Sequence, residues 1–508
     1  MATWTAGYVA DVDYTYGFYR ELTPAILAYV GLAQAKRTPD PNTRLTYCEL
    51  GSGQGLTTNL LAAANPDIDF YATDFLPAHT AEAQRLAAEA RSPNAHFYDQ
   101  SFSEFANEPS LPMFDIVVLH GIYSWVNAEN RAAIVDFLHR KLKPGGLAYV
   151  SYNTLGWAPA TPLREIMYRY GASQGGSSGK RLGSALGLMD KLVAVDARYF
   201  KSYPGQKARY EGLKKLDANY LAHEYFNEAW SLLYHGDVAA EFAEAKLNYL
   251  GSAHLLDHID VINLSEAQRE LLASVEDTTV REMIRDFITG QQFRRDVFVK
   301  GASSLSPRET NLGWLEQRFV LSALPADVQM KVTTLQGEAQ LQSDVYEPIL
   351  EALAGGPRTL RELLAMPKIA ALGAAKLTQA LSILIGAGHA QPALAARGDA
   401  ARTKRTRAFN DAVFARAQDG NSIAFLASPV TGGGIAVGRF HQLFLLARQR
   451  KEADPAAFVW SILASQNQRL VRDGKTLETV EENLAELRTD YDEFVAKRVP
   501  LLTQLGIA

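Results

Sequence analysis

The sequence predicts an α/β chain organised around a seven-stranded, mostly parallel sheet, and three observations carry the prediction. Short apolar runs alternate with helical segments of about four turns from Thr43 to Asn153. A glycine-rich turn, ELGSGQG (Glu49–Gly55), stands where the first strand meets the first of those helices. The runs themselves, FDIVVL among them, are short and apolar, as expected of a parallel sheet covered on both faces.

The elements follow in order. After an aromatic and acidic opening segment, Thr23-Pro24 reads as a helix start, with proline in the first turn of PAILAYVGLAQA. RLTYCEL is the first strand, and GSGQGLTTNLLAAAN turns into a helix. IDFYATD is the second strand, AHTAEAQRLAAEAR the second helix, and AHFYDQSF the third strand with its loop. FDIVVLHG is the fourth strand, Ala128 to Leu142 a helix, and GLAYVSYN the fifth strand. Regularity stops near Leu155, and residues 155–216 read as a helical insertion. Within it the glycine- and serine-rich tract Gly171–Gly187 predicts a flexible loop or lid. KLNYLGSA and RRDVFVKG supply the sixth and seventh strands and close a first unit at 1–302. Residues 316–400 show three helices and then a short strand, a winged-helix-like outline. The third of those helices carries only Lys376 and is too apolar to read DNA. Residues 401–508 predict a mainly helical unit around SPVTGGGIAVG.

Composition narrows the function. Lys and Arg number 51 against 56 Asp and Glu, so no overall charge draws the chain to nucleic acid or anionic membrane. The single cysteine, Cys48, excludes a disulfide framework and a thiolate zinc cluster, and its apolar surroundings point to a buried, inert thiol. His223 and Glu224 would resume the main fold after the insertion and line the acceptor side; the pair also suggests a metal, yet no HExxH or usefully spaced second histidine follows, so no metal is expected. The N-terminus lacks a basic region followed by an apolar one, and no run of 18 uncharged apolar residues occurs. These features predict a cytoplasmic protein without stable membrane insertion.

The glycine turn points to a nucleotide. A dinucleotide fingerprint needs a third glycine where Leu56 stands, and the phosphate-loop lysine is absent. Glycines at alternate positions suit a ligand without a pyrophosphate, such as S-adenosylmethionine. Asp74, at the end of the second strand, would take its ribose hydroxyls, and Ser101 and Phe102 would meet the adenine. His120 to Trp125, after the fourth strand, then flank the reactive methyl. His120 would accept a proton or hydrogen-bond the ligand, while Tyr123 and Trp125 would wall an acceptor channel and stabilise a nearby cation. The alternative for these three is a satisfied histidine beside two packing aromatics. Asn153, at the end of the fifth strand, would hydrogen-bond an acceptor.

With those residues in view, ELGSGQG, Asp74, FDIVVLHGIYSWV, LKPGGLAYVSYNT and TGGGI together resemble the class I S-adenosylmethionine methyltransferases that carry a methyltransferase regulatory domain. That group includes the rickettsial protein-lysine methyltransferases. The resemblance implies a Rossmann-like class I fold, S-adenosyl-L-methionine as donor, S-adenosyl-L-homocysteine as product, and direct in-line transfer to a protein lysine amine. It assigns Gly51, Gly53 and Gly55 to the cofactor loop, Asp74 to the ribose, and Ser101 and Phe102 to the adenine side. His120, Gly121, Tyr123, Ser124 and Trp125 match its HGxYSW segment. Glu49, Ser52 and Phe75 complete the cofactor side, and Tyr14, Tyr16 and Phe18 would cover it from the N-terminal segment. Gln54 departs from the usual acidic residue, and SYNTLGWAP lacks the usual proline before Gly156 and Trp157. The insertion and added domains offer material for a polypeptide groove, or for a homodimer. A small-molecule or lipid methyltransferase is the alternative, followed by a non-catalytic scaffold that binds the same nucleoside.

Overall fold

The computed structural model describes residues 5, 7–12, 14–334 and 337–508. Seven strands form one sheet: β1 (Leu45–Leu50), β2 (Ile68–Asp74), β3 (Ala95–Asp99), β4 (Phe114–Leu119), β5 (Leu142–Asn153), β6 (Leu247–Ser252) and β7 (Phe293–Lys300). Their spatial order is β3-β2-β1-β4-β5-β7-β6. The first five are parallel, while β7 runs antiparallel to both β5 and β6. The order reverses between β1 and β4, and in an open parallel sheet that is where a ligand crevice opens beyond the strands' carboxyl ends. The antiparallel register sets Asn153 opposite Phe293, so the end of β5 and the start of β7 reach the same rim.

Helices α1 (Pro24–Ala33), α2 (Leu56–Ala64), α3 (Pro77–Glu89), α4 (Phe102–Ala106) and α5 (Ala128–Lys141) pack on the two faces. All nine residues of α2 are buried, which explains why LTTNLLAAA has no charged face. One side lies on the sheet, and the other is covered by the helix Asp399–Ala417 and the hairpin Phe425–Ser428/Gly433–Ala436. Asn65 Nδ2 donates to Gly432 O at 2.7 Å and ties the TGGGI turn to the end of α2.

The insertion consists of α6 (Thr161–Gln174), α7 (Ser178–Ala194), α8 (Arg198–Ser202), α9 (Pro204–Leu213) and α10 (Ala218–Phe226). Two expectations change here. The tract Gly171–Gly187 is mostly helical, interrupted only between Gln174 and Ser178. Gly179, Gly183 and Gly187 share an exposed stripe of α7, while Leu182, Ala185 and Met189 face inward, and Ser177 caps the helix by accepting from Lys180 N–H. Secondly, α10 follows residue 216 but does not rejoin the sheet. Its Leu221, Tyr225 and Phe226 belong to the same apolar cluster as Leu163, Met167 and Leu182. After α10, α11 (His235–Ala243) and β6 return the chain to the sheet.

Beyond β7, strands Arg358–Thr359, Arg318–Leu321 and Ala390–Ala393 form a small antiparallel sheet with helices Ser343–Ala354, Leu360–Leu364 and Gly373–Gly386. The last helix buries Leu377, Leu381 and Leu384, and Arg20 reaches its end, donating to Ile385 O at 2.8 Å and Gly386 O at 2.5 Å. The remainder is largely helical. One apolar cluster runs from Tyr47 and Phe70 through Phe319 and Leu381 to Phe444 and Leu502. Among the described residues, no helix is long and apolar enough to cross a membrane.

Candidate active site

The carboxyl ends of the parallel strands open on a cavity of about 840 Å³. Its lining falls into two groups of residues, a first lobe around the glycine turn and the ends of β2 and β3 and a second beyond β4 and β5, with residues of the N-terminal segment and α10 completing both.

In the first lobe, Gly51 and Ser52 donate their backbone N–H groups to Thr73 O, at 2.9 and 3.1 Å. Gly53 N–H donates to Asp74 Oδ2 at 2.8 Å, and Leu76 N–H to Asp74 Oδ1 at 3.0 Å. Asp74 therefore shapes the glycine turn as well as facing the cavity. A carboxylate has about four acceptor positions, which leaves capacity for a ligand hydroxyl. Gly53 has φ +53°, and a Cβ built there would meet only Tyr14 Cδ1, at 4.0 Å, so the space above it is cavity. Gly55 differs. Its φ is +70° and a Cβ would lie 2.4 Å from Ala83 Cβ and 2.9 Å from Phe97 Cε1. Gly55 lies outside the cavity lining, and its assignment to the cofactor is corrected: it lets α2 approach α3 and β3.

His79, which no sequence pattern singled out, is buried beside Asp74. Its Nε2 accepts Tyr14 N–H at 3.2 Å, so Nδ1 carries the proton and points at Asp74 Oδ1, 3.3 Å away. The covering segment is thereby linked through His79 and Asp74 to the glycine turn. Gln54 Nε2 donates to Tyr14 O and holds the same segment. Tyr14 and Tyr16 line the cavity, and the Tyr16 hydroxyl donates to Glu82 Oε1 at 2.7 Å. Phe18 instead packs on Phe425, with ring centroids 5.4 Å apart, and is no part of the cover.

Glu49 forms the floor and accepts from the Thr58 hydroxyl. Burial raises its carboxyl to about 7, with the Asp74 charge adding to the effect. Phe75 and Phe102 contribute apolar wall. Ser101 also lines the lobe, but as the N-cap of α4: its hydroxyl donates to Glu104 at 2.7 Å and its N–H at 2.9 Å.

In the second lobe, the His120 ring stacks on Tyr19 at 3.8 Å, and its Nδ1 is 2.8 Å from the Tyr149 hydroxyl. Burial, with Arg295 adding to it, lowers the imidazole to about 3, so His120 is neutral at physiological pH. Trp125 and Asn153 line the lobe, as does Trp157, over whose ring the Arg209 guanidinium sits at 4.2 Å. Gly156, in the departing SYNTLGWAP segment, fits against the chain at Gly290 and Gln291.

Tyr123 is the second correction. It is 0% exposed, its hydroxyl donates to Glu241, and its ring meets Phe242 edge-on at 5.5 Å. It faces the core on the opposite side of the turn that points His120 and Trp125 into the cavity. His223 and Glu224 line the cavity from α10, whereas Tyr8, Tyr19 and Tyr220, which complete this wall from the N-terminal segment and α10, were missed. Only tertiary structure brings them together. Among the described residues, no three His, Cys, Asp or Glu side chains converge on a metal-sized site.

Comparison with known proteins agrees with this architecture. Residues 48–148 match the family described as "Methyltransferase domain" and residues 217–300 the family described as "Predicted methyltransferase regulatory domain". A Synechocystis protein, "Uncharacterized protein sll1526", is 46% identical over 507 residues and covers 100% of both chains. "O-methyltransferase 3" of Dictyostelium discoideum is 30% identical over 135 residues, 25% of this chain and 30% of that protein. Among solved structures, PKMT2 from Rickettsia typhi in complex with AdoHcy aligns with a TM-score of 0.70 over 97% of this chain and 100% of that one, at 17% identity, a likeness of fold.

Proposed function

The chain belongs to the class I S-adenosylmethionine-dependent methyltransferases that carry a methyltransferase regulatory domain, and on that premise we propose that its acceptor is a lysine amine of a polypeptide. The observation that carries the proposal is the second lobe. Tyr19, Trp125, Trp157, Tyr220 and Phe293 line it with rings, beside a histidine that carries no charge. Such walls suit a long aliphatic stem ending in a cation, through apolar contact along the stem and attraction of the ammonium to ring faces.

When bound, the cofactor supplies an electrophilic methyl carbon on a positively charged sulfur. The chain's own residues then have three tasks. The first is to hold the nucleoside. We assign this to the Gly51–Gly53 turn and Asp74, with Phe75, Ser101 and Phe102 beside the base and Tyr14 and Tyr16 as cover. The second is to keep water out, which Tyr14 and Tyr19 serve by closing the N-terminal segment over both lobes. The third is to align an amine that has lost its proton. Aqueous lysine ammonium has a pKa near 10.4, and an apolar, aromatic enclosure lowers it by withholding solvent. Trp125 and Asn153 are the residues we place around the approaching nitrogen.

The test is methyl labelling. Purified protein is incubated with S-[methyl-³H]adenosylmethionine and a cell lysate, and labelled protein is hydrolysed for amino-acid analysis. Label in methylated lysine is the expected result. Label confined to organic-extractable metabolites would defeat the lysine assignment and favour a small-molecule or lipid acceptor.

A further inference from the structure

We propose that Glu224 is the docking carboxylate for the acceptor's ammonium group, with Tyr8, Tyr14, Tyr19 and Tyr220 forming an aromatic enclosure around it. The inference deepens the lysine reading and rests on it.

Glu224 lies on α10 and keeps part of its surface open to the cavity. Among the described residues, its carboxylate accepts no hydrogen bond and makes no ion pair. The cation that could neutralise it is otherwise engaged. Arg164, 3% exposed on α6, donates to Glu224 O at 3.2 Å and Asn227 O at 2.7 Å, both backbone carbonyls. Its guanidinium sits over the Trp230 ring at 4.7 Å and the Trp125 ring at 5.6 Å. A buried carboxylate without a partner is costly, and chains retain one where a ligand completes it.

The groups facing Glu224 suit a cation and nothing negative. The N-terminal segment supplies Tyr8, Tyr14 and Tyr19, and α10 itself supplies Tyr220 and Tyr225, all of which feel the Glu224 charge. Tyr14 and Tyr220 are 6.4 Å apart between ring centroids, and Tyr14 meets His223 edge-on at 5.1 Å. Burial lowers the His223 imidazole below its ordinary value, so it adds no positive charge beside the carboxylate at pH 8. Burial also raises the Glu224 carboxyl to about 7, with Arg164 opposing the rise. A carboxyl in that range both attracts an ammonium and accepts its proton. The step balances. A proton passes from nitrogen to the Glu224 carboxylate, and the freed nitrogen lone pair attacks the donor's methyl carbon. The carbon–sulfur bond breaks with its electron pair going to sulfur, and the carboxyl proton leaves to water when product departs.

Residues 217–300, the segment matching the regulatory-domain family, contain α10. The proposal thus places the docking carboxylate within that segment, while three of the enclosing tyrosines come from the N-terminal segment.

The test uses the full chain saturated with S-adenosylhomocysteine, with n-butylammonium as probe and n-butanol as its neutral counterpart, at pH 8. E224Q should bind S-adenosylhomocysteine within about twofold of wild type, yet bind n-butylammonium at least about tenfold more weakly, the scale of one lost charge-assisted hydrogen bond. Binding of n-butanol should not change, and E224D should recover part of the loss. Wild-type affinity of E224Q for n-butylammonium, or no binding by either protein, overturns the proposal. So does an equal loss of S-adenosylhomocysteine affinity, which would assign the carboxylate to the nucleoside. Methyl transfer to poly-L-lysine separates the two readings. Transfer that is unaltered by E224Q sinks the Glu224 role and leaves lysine standing. Tight n-butylammonium binding with no lysine methylation does the reverse.

Discussion

The two glycines flanking Gln54 should respond to alanine in different currencies. At Gly55 the chain holds φ +70°, and an added methyl would meet Ala83 Cβ at 2.4 Å. The left-handed conformation costs an alanine about 1–2 kcal/mol, and forcing a methyl into a closed helix contact about 1–3 kcal/mol more. Gly55→Ala should therefore destabilise the fold by roughly 2–5 kcal/mol. At Gly53 the same left-handed cost applies, about 1–2 kcal/mol, with no packing cost because the nearest atom is 4.0 Å away. Its methyl instead projects into the space where the nucleoside would lie, and the loss should appear as ligand affinity, on the order of tenfold or more. Urea unfolding of both variants, with isothermal titration of S-adenosylhomocysteine, separates the cases. Wild-type affinity in Gly53→Ala would show that the turn is not a ligand cradle. A Gly55→Ala chain of wild-type stability would show that the helix contact is looser than it looks.

Three further outcomes follow from the geometry. Tyr123→Phe should lower stability by about 1 kcal/mol through the lost hydrogen bond and leave S-adenosylhomocysteine affinity unchanged; a selective loss of affinity would return Tyr123 to the cavity. Affinity should fall in the order wild type, Asp74→Asn, Asp74→Ala, since Asn keeps an oxygen for Gly53 N–H, and an Asp74→Ala chain that titrates like wild type refutes the ribose assignment. The third concerns pH. Because folding raises the Glu224 carboxyl from an ordinary 4.5 to about 7, its contribution is fully favourable below 4.5 and falls as pH rises. Above pH 7 the ligand-free chain carries a penalty of about 3 kcal/mol, at ~1.4 kcal/mol per tenfold change in proton affinity. Glu224→Gln should therefore stabilise the ligand-free chain at pH 8 and not at pH 4.5, read by urea unfolding at both. Equal effects at the two pH values would mean that the carboxyl titrates normally.

The sheet was legible because its inner strands β1, β4 and the second half of β5 are buried on both faces and written as largely apolar runs. Gly51, Gly53 and Asp74 could be placed at one cavity because glycine spacing and a strand-end carboxylate are local features. Tyr123 was misread because it sits in a turn, where no period assigns faces: His120 and Trp125 point one way and Tyr123 the other. Gly55 was misread because alternate glycines look alike in sequence, whether they admit a ligand or a neighbouring helix. In Gly171–Gly187 the glycine count outweighed a readable pattern, the four-residue spacing of Gly179, Gly183 and Gly187 opposite Leu182, Ala185 and Met189. Tyr8, Tyr19 and Tyr220 had no local signature, since tertiary folding brings Tyr8 and Tyr19 to α10 across about two hundred positions of chain.

The burial of every residue in α2 has a practical meaning for anyone dividing this protein. A fragment ended after the seventh strand would retain each side chain assigned to donor and acceptor, yet strip the outer half of that helix of the helix and hairpin that cover it. The naked surface would be Leu, Ala and Thr with no charge to keep it in water, a template for self-association. Donor binding and the far end of the polypeptide are in this sense one purchase, and a trimmed catalytic unit should precipitate before it can be assayed.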